Sequence, residues 1–244
     1  MAASPHALRL QQAVLRPVRG HHAFEACVEQ LATAIRLGVY QRGSQLPAER
    51  ELAEQLGVSR ATLREAIAAL RAAGLVETTR GRGGGTIVQK RPARTASVAR
   101  RAIRGRQADL LDALDFRSVV EPGAAALAAS RELDEATRTV LAESLEAVST
   151  APSGEDHRQC DSRLHLAIAA ASGSTRLMAA VTQAQADLDE LLHAIPVLRP
   201  NITHSTAQHK SIVRAILNGR PTTAARVMTE HCEDTAALLR GLLG

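Results

Sequence analysis

The sequence is poor in aromatic residues, which limits what its core and its binding sites can be made of. Its 244 residues include one tyrosine, two phenylalanines and no tryptophan. The core must therefore consist of alanine, leucine, valine and isoleucine, a composition that favours closely packed helices. Recognition of nucleic acid by stacking bases on aromatic platforms is disfavoured for the same reason.

Cysteines and long apolar segments are also scarce. The three cysteines are odd in number and form no CxxC pair, which is typical of a protein with reduced thiols. No apolar run approaches the roughly 18 residues of a membrane span, and the first 20 residues lack the long apolar segment of a secretory signal. The sequence therefore predicts a cytoplasmic protein with no membrane partner, and residues 1–20 are expected to form a mobile basic tail.

Charge is divided unevenly along the chain. Residues 1–106 contain 18 lysines and arginines against 7 acidic residues, whereas residues 107–244 contain 12 against 18. A basic half beside an acidic half indicates one nucleic-acid-binding domain and one domain with another role. Two solvated surfaces of different composition are the alternative on charge alone, so the motifs must decide the assignment.

The clearest local pattern lies in residues 46–88, LPAERELAEQLGVSRATLREAIAALRAAGLVETTRGRGGGTIV. Pro47 suits the first turn of a helix because its missing N–H needs no partner there. Gly57 ends that helix, and Ser59 is a good N-cap for the next one. Two strand-like runs separated by a glycine-rich turn follow. Together these features predict a winged helix-turn-helix domain over residues 21–89.

Several arginines of this pattern are candidate DNA contacts. Arg60 and Arg64 share one side of the second helix at i, i+4 and can reach a guanine edge bidentately or clamp a phosphate. Arg50, in the preceding helix, is a candidate backbone contact. Arg80 and Arg82 flank a glycine at the tip of the wing, where they suit a narrow minor groove. A solvated face is the alternative for these arginines, whereas a nucleotide-binding glycine loop is excluded because a strand, not a helix, follows.

The second half of the chain is helical in pattern. Residues 90–106 are rich in arginine and lysine and predict a linker. From residue 107 onward, breaks in the pattern separate six predicted helices, at 108–129, 134–149, 154–172, 174–194, 202–218 and 221–242. Short connections between helices predict an antiparallel bundle over residues 107–244. The fold class is therefore mainly α, with an N-terminal winged helix-turn-helix and a C-terminal all-α bundle.

Four polar residues occupy stripes where this bundle should be apolar. Asp161 and His165 share a stripe with core leucine and isoleucine in the third bundle helix, and His209 and His231 point inward from the fifth and sixth. Buried polar groups cost free energy unless they satisfy one another or a shared ion. An Asp/His₃ set suits a borderline divalent cation such as Zn²⁺ or Ni²⁺, and Mn²⁺ would also fit. The alternative for each histidine is an ordinary hydrogen-bonded core residue.

Arg117 and Glu121 form a further charged pair, at i, i+4 on the inner side of the first bundle helix. One interpretation is a structural ion pair. The other is that Arg117 helps to hold an anionic effector beside the open positions of the metal. The sequence leaves both open.

The N-terminal motifs also carry a family resemblance. The run LPAERELAEQLGVSR, followed by TLREAI, AAGLV and RGRGGGTIV, resembles the DNA-binding domain of the GntR transcriptional regulators, over roughly residues 23–88. In similar members of that family, the matching positions approach DNA. The resemblance therefore nominates Arg50, Ser59, Arg60, Arg64 and Gly81.

A second resemblance covers the bundle. The segments FRSVVEPGAAALAA (116–129), DSRLHLAIAAASGS (161–174) and HKSIVRAILNGRPTTAARVMTEH (209–231) resemble the FCD ligand-binding domain of the FadR-like branch of GntR regulators. In metal-containing members, the positions that match Asp161, His165, His209 and His231 bind a divalent ion. All four residue types are retained here, so the resemblance implies a bound metal.

These features together predict a ligand-responsive, sequence-specific transcription regulator, with repression as the expected direction. A homodimer would place two winged helices on a palindromic DNA operator, while a small carboxylate effector completes the metal's coordination and contacts Arg117. One alternative is a metal-dependent, hydrolase-like enzyme with a DNA-binding appendage, for which Glu121 is the only evident general base. Another is a bundle that only dimerises and whose polar stripe is a hydrogen-bonded network. We expect a regulator and no enzyme.

Overall fold

The computed structural model describes residues 10–11, 13–18, 23–79, 85–89, 105–152, 154–195 and 199–243. The chain divides into two compact units, Met1–Ala93 and Arg94–Gly244. Among the described helices, none is long and apolar enough to cross a membrane.

The N-terminal unit is a winged helix-turn-helix, as the sequence predicts. Its elements are α1 (Ala23–Arg36), α2 (Glu49–Leu56), α3 (Arg60–Ala72), β1 (Val76–Thr79) and β2 (Gly85–Val88). The turn between α2 and α3 depends on Gly57, whose φ of 66° lies in the left-handed region that disfavours other residues. Ser59 caps α3, because its side chain accepts a hydrogen bond from the backbone N–H of Thr62 at 3.0 Å. The two strands pair antiparallel, with Val76 opposite Val88.

The prediction of a mobile tail is wrong for the part of residues 1–20 that the structure describes. Leu10, Val14 and Leu15 are buried, and the backbone N–H of Val18 donates to the carbonyl of Leu56 at 2.7 Å. The physical reason is that Val14 and Leu15, four and five positions after Leu10, bury against the domain with it, despite the arginines at either end of the segment. The segment therefore packs against the DNA-binding domain.

The C-terminal unit is a bundle of helices joined by short connections. They are α4 (Gln107–Ala129), α5 (Glu135–Thr150), α6 (Gly154–Ala171), α7 (Thr175–His193), α8 (Arg199–Leu217) and α9 (Pro221–Leu243). Each lies within three residues of a helix predicted from the sequence. Asp134 and Ser174 cap α5 and α7 by accepting hydrogen bonds from backbone N–H groups. The predicted linker falls mostly on residues 90–104, which lie outside the described residues.

The core of the bundle is built from small and branched side chains, as the shortage of aromatics requires. Its main cluster contains alanine, leucine, valine and isoleucine together with Met228 and Cys232. Helix α4 lies at the centre and packs against α6, α7, α8 and α9. Polar side chains that point inward from these helices therefore converge on α4.

Candidate functional site

Three helices of the bundle bring three histidines together. His165 on α6, His209 on α8 and His231 on α9 are all buried, and one ring nitrogen of each lies within 4.8 Å of the others. Asp161, one turn before His165, places Oδ1 3.4 Å from Nε2 of His209 and Oδ2 3.9 Å from Nε2 of His165. The structure thus assembles the four residues that the sequence singled out as metal ligands.

The electrostatics of the cluster favour neutral imidazoles. Burial lowers the pKa of His209 to about 4, even though Asp161 opposes the shift. Burial also holds the pKa of His231 well below its usual value, and His209 and His165 act in the same direction. Neutral imidazole is the form that binds metal ions.

Several nitrogens of the cluster lack hydrogen-bond partners among the described residues. These are the ring nitrogens of His209 and of His165, although Nδ1 of His165 lies 2.8 Å from a carboxylate oxygen of Glu121. His231 differs, because its Nδ1 lies 3.1 Å from Oε1 of Gln208 and forms a hydrogen bond there. A buried polar atom without a partner costs about 1–3 kcal/mol. Three imidazoles and one carboxylate around unsatisfied nitrogens form a donor set that fits a borderline divalent cation.

The ion pair predicted within α4 is also part of this cluster. Arg117 and Glu121 are each 1% exposed, and Nε of Arg117 lies 3.1 Å from Oε1 of Glu121. The other carboxylate oxygen, Oε2, lies 2.8 Å from Nδ1 of His165, and Gln185 donates to Oε1 at 2.6 Å. Burial alone would raise the pKa of Glu121, but the charge of Arg117, the ring of His165 and hydrogen bonds hold it well below its usual value.

A cavity of about 60 Å³ opens beside these residues. Its polar wall includes Arg117 and the two candidate ligands Asp161 and His231, and its apolar wall includes Leu188 and Ile202. The terminal nitrogens of Arg117 have no hydrogen-bond partner within the described parts of the chain. Since one water needs about 10–15 Å³, the cavity has room for roughly four to six water-sized groups.

In the N-terminal unit, the candidate DNA contacts on helices are exposed. The side chains of Arg50 and Arg64 are 69% and 61% exposed, and Arg60 is exposed at the start of α3. Nε of Arg64 lies 2.7 Å from Oε2 of Glu49, a contact between α2 and α3 that sequence reasoning missed. Ser59 is exposed and already serves as the cap of α3. Three further predicted contacts at the wing tip, Arg80, Gly81 and Arg82, lie outside the described residues.

Both units match known protein families. The chain matches the model of the bacterial regulatory proteins of the gntR family over residues 24–87 and the FCD domain model over residues 112–234. The chain belongs to the GntR family of transcriptional regulators. As a family member, it is a DNA-binding regulator with an FCD domain for effector binding.

Individual relatives agree with this GntR assignment. The chain is 32% identical to the HTH-type transcriptional regulator Mce2R of Mycobacterium tuberculosis, over 94% of this chain and 96% of the relative. It is 30% identical to the Glc operon transcriptional activator of Escherichia coli, over 85% of each. Among solved structures, E. coli McbR/YncC shares the fold, with a TM-score of 0.55 at 19% identity, over 91% of this chain and 99% of that one.

Proposed function

We propose that this GntR regulator is a homodimeric, ligand-responsive repressor whose FCD domain binds a divalent metal ion and a small carboxylate. The observation that carries the proposal is the buried Asp161, His165, His209 and His231 cluster beside the cavity lined by Arg117. Repression is the proposed direction because occupying an operator can block transcription by steric exclusion alone, whereas activation needs a further contact with the transcription machinery.

The three imidazoles and one carboxylate of the cluster suit zinc or nickel, and they would also bind manganese. Imidazole nitrogens suit Zn²⁺ and Ni²⁺, and the carboxylate of Asp161 is compatible with all three ions. A bound ion supplies Lewis-acid positions for a ligand oxygen. It also offsets the cost of burying the partnerless nitrogens of His165 and His209.

The surroundings of Arg117 support the proposal of an anionic ligand. Its guanidinium is buried, its Nε lies against Glu121, and its terminal nitrogens are without hydrogen-bond partners among the residues described. Charge-assisted hydrogen bonds from a guanidinium to a carboxylate are about twice as strong as neutral ones. The volume of the cavity restricts such a ligand to a few non-hydrogen atoms beyond the carboxylate, and the leucine and isoleucine wall suits a short apolar portion.

Regulation follows if the ligand binds more tightly to one arrangement of the dimer than to another. Two DNA-binding domains can read a palindromic operator only at a matching separation. A coupling free energy of about 1–3 kcal/mol between effector and DNA corresponds to roughly 5–150-fold in operator affinity. Exposed Arg60 and Arg64 would read bases in this arrangement.

The test compares His209→Ala and His231→Ala with wild type, using a matched control at an exposed histidine. His204→Ala is that control, because the His204 side chain is 62% exposed and lies outside the cluster. We expect both cluster variants to lose metal, measured by elemental analysis, and to lose release from DNA by a panel of small carboxylates. The control should keep both properties. Unchanged release from DNA in the two cluster variants would refute the metal's role.

Enzymatic activity is not part of the proposal. Glu121, the general base that the enzyme alternative requires, is engaged by Arg117, Gln185 and His165. A base held in this way has no oxygen available for a substrate proton. Assays for hydrolytic turnover with stoichiometric metal should therefore give no product.

A further inference from the structure

Glu121 is surrounded by hydrogen-bond donors on both of its carboxylate oxygens. Oε1 faces Nε2 of Gln185 at 2.6 Å and Nε of Arg117 at 3.1 Å. Oε2 faces Nδ1 of His165 at 2.8 Å and Sγ of Cys232 at 3.5 Å. An ionised carboxylate only accepts hydrogen bonds, whereas a protonated acid or an amide brings a donor of its own to one of the two positions. The four neighbours therefore require Glu121 to be a carboxylate and not merely a polar residue of similar shape.

This arrangement determines which nitrogen of His165 carries the proton. A neutral imidazole has one N–H and one lone pair, and the partner of one nitrogen decides the state of the other. The proton is favoured on Nδ1, because a lone pair there would face a carboxylate oxygen at 2.8 Å. The lone pair then lies on Nε2, the nitrogen that faces Asp161 at 3.9 Å.

We infer that Glu121 is a positioning residue that fixes His165 as the Nδ1–H tautomer and thereby prepares Nε2 as a metal ligand. The same carboxylate also holds Nε of Arg117, so one side chain aligns both the metal-binding and the anion-binding parts of the site. The expected effect of Glu121 on metal affinity rests on the proposed function, since it needs the proposed metal site. The tautomer itself is a property of the metal-free protein.

Replacing Glu121 with glutamine keeps the shape but changes one oxygen into a donor. Whichever way the amide is turned, its NH₂ group meets two donors, either Gln185 and Arg117 or His165 and Cys232. The charged guanidinium takes the carbonyl oxygen, since a hydrogen bond to a charged group is the stronger one. The NH₂ group then faces His165, which must accept through Nδ1 and place its proton on Nε2. In that tautomer Nε2 offers no lone pair to a metal.

The experiment measures the His165 tautomer and zinc affinity in the full chain. Histidine ring nitrogens are labelled with ¹⁵N, and long-range ¹H–¹⁵N spectra are recorded on metal-free protein at about pH 8, above the usual imidazole pKa of about 6.5. The His165 signals are assigned by their loss in His165→Asn. We expect Nδ1–H in wild type and Nε2–H in Glu121→Gln. Competition with a chromogenic chelator should show zinc affinity reduced by about 10–100-fold in that variant.

Cys232→Ala is the matched control, because it removes the other donor to Oε2 while keeping the carboxylate. It should keep the Nδ1–H tautomer and nearly the wild-type zinc affinity. The Nε2–H tautomer in metal-free wild type would overturn the inference even if Glu121→Gln failed to fold. Equal zinc affinity and an unchanged tautomer in a folded Glu121→Gln would also overturn it, while leaving the proposed metal site intact. The expected tautomer switch without zinc binding by wild type would support the positioning role and refute the metal proposal.

Discussion

The buried histidines predict that the metal-free protein loses stability in mild acid. The perturbation is a change from about pH 7.5 to about pH 5.5 in the presence of a chelator, a range that spans the usual imidazole pKa of about 6.5. Burial lowers the pKa of His209 to about 4 in the folded state. In that range the unfolded chain takes up a proton at this residue and the folded chain does not. The contribution of His209 to the free energy of unfolding is therefore fully present above the unfolded pKa, and it is lost as the pH falls towards the folded pKa.

The magnitude follows from the two pKa values of His209. Between these conditions, proton uptake by the unfolded state lowers the free energy of unfolding by about 1.4 kcal/mol for one such histidine. The folded state contributes almost nothing, since its pKa of about 4 lies well below the range. His231, whose pKa is lowered in the same direction, adds to the loss.

Urea unfolding at both pH values measures this loss, and His209→Gln isolates the contribution of one residue. Glutamine cannot titrate, so the pH-dependent loss in this variant should be smaller than in wild type by about 1.4 kcal/mol. The comparison uses the difference between pH values in each protein and not their absolute stabilities, which also change with packing. An identical pH-dependent loss in wild type and His209→Gln would show that His209 titrates normally in the folded protein, and the argument for a neutral, ligand-ready imidazole would fail.

Three further predictions concern the DNA-binding domain. Arg60→Ala should lower discrimination at one base pair by about 1–3 kcal/mol, whereas Arg50→Ala should weaken binding to all sequences and reduce the slope of log affinity against log salt by about one. Titrations against operator variants chosen by in vitro selection measure both, and a uniform loss for Arg60→Ala would assign it to phosphate instead. Ser59→Ala should lower the free energy of unfolding by about 0.5–2 kcal/mol, because the N–H of Thr62 loses its acceptor. Thermal unfolding of the free protein checks this, and an unchanged midpoint would contradict the capping role.

Local sequence signals were sufficient for most of the fold. The period of the apolar residues and the cap Ser59 depend on neighbours within one or two turns, so they can be recognised without tertiary structure. The inward stripes of Asp161 and His165 were visible for the same reason. The residues that share a stripe are set by helix geometry alone.

Contacts between helices could not be derived in this way. The contact of Glu49 with Arg64 and that of Glu121 with His165 join residues 15 and 44 positions apart, and both depend on how two helices are rotated about their axes. Helical periodicity predicts that a side chain points inward but not which side chain it meets. The prediction of a mobile N-terminal tail was wrong for a different reason. The apolar pattern of this segment is short, and its basic residues suggested a solvated tail.

The unsatisfied polar groups of the bundle are the strongest support for the proposed ligand-dependent switch, as opposed to a passive scaffold. The two ring nitrogens of His209 and the two terminal nitrogens of Arg117 are buried without hydrogen-bond partners among the described residues, and each such group costs about 1–3 kcal/mol. The summed cost of these groups is large compared with the free energy of unfolding of a typical protein, which is roughly 5–15 kcal/mol. Apolar residues of similar volume would serve dimerisation alone at least as well, since replacing buried charges by packed apolar groups is often neutral or stabilising. A ligand that satisfies these groups in only one arrangement of the protein would favour that arrangement by a comparable free energy.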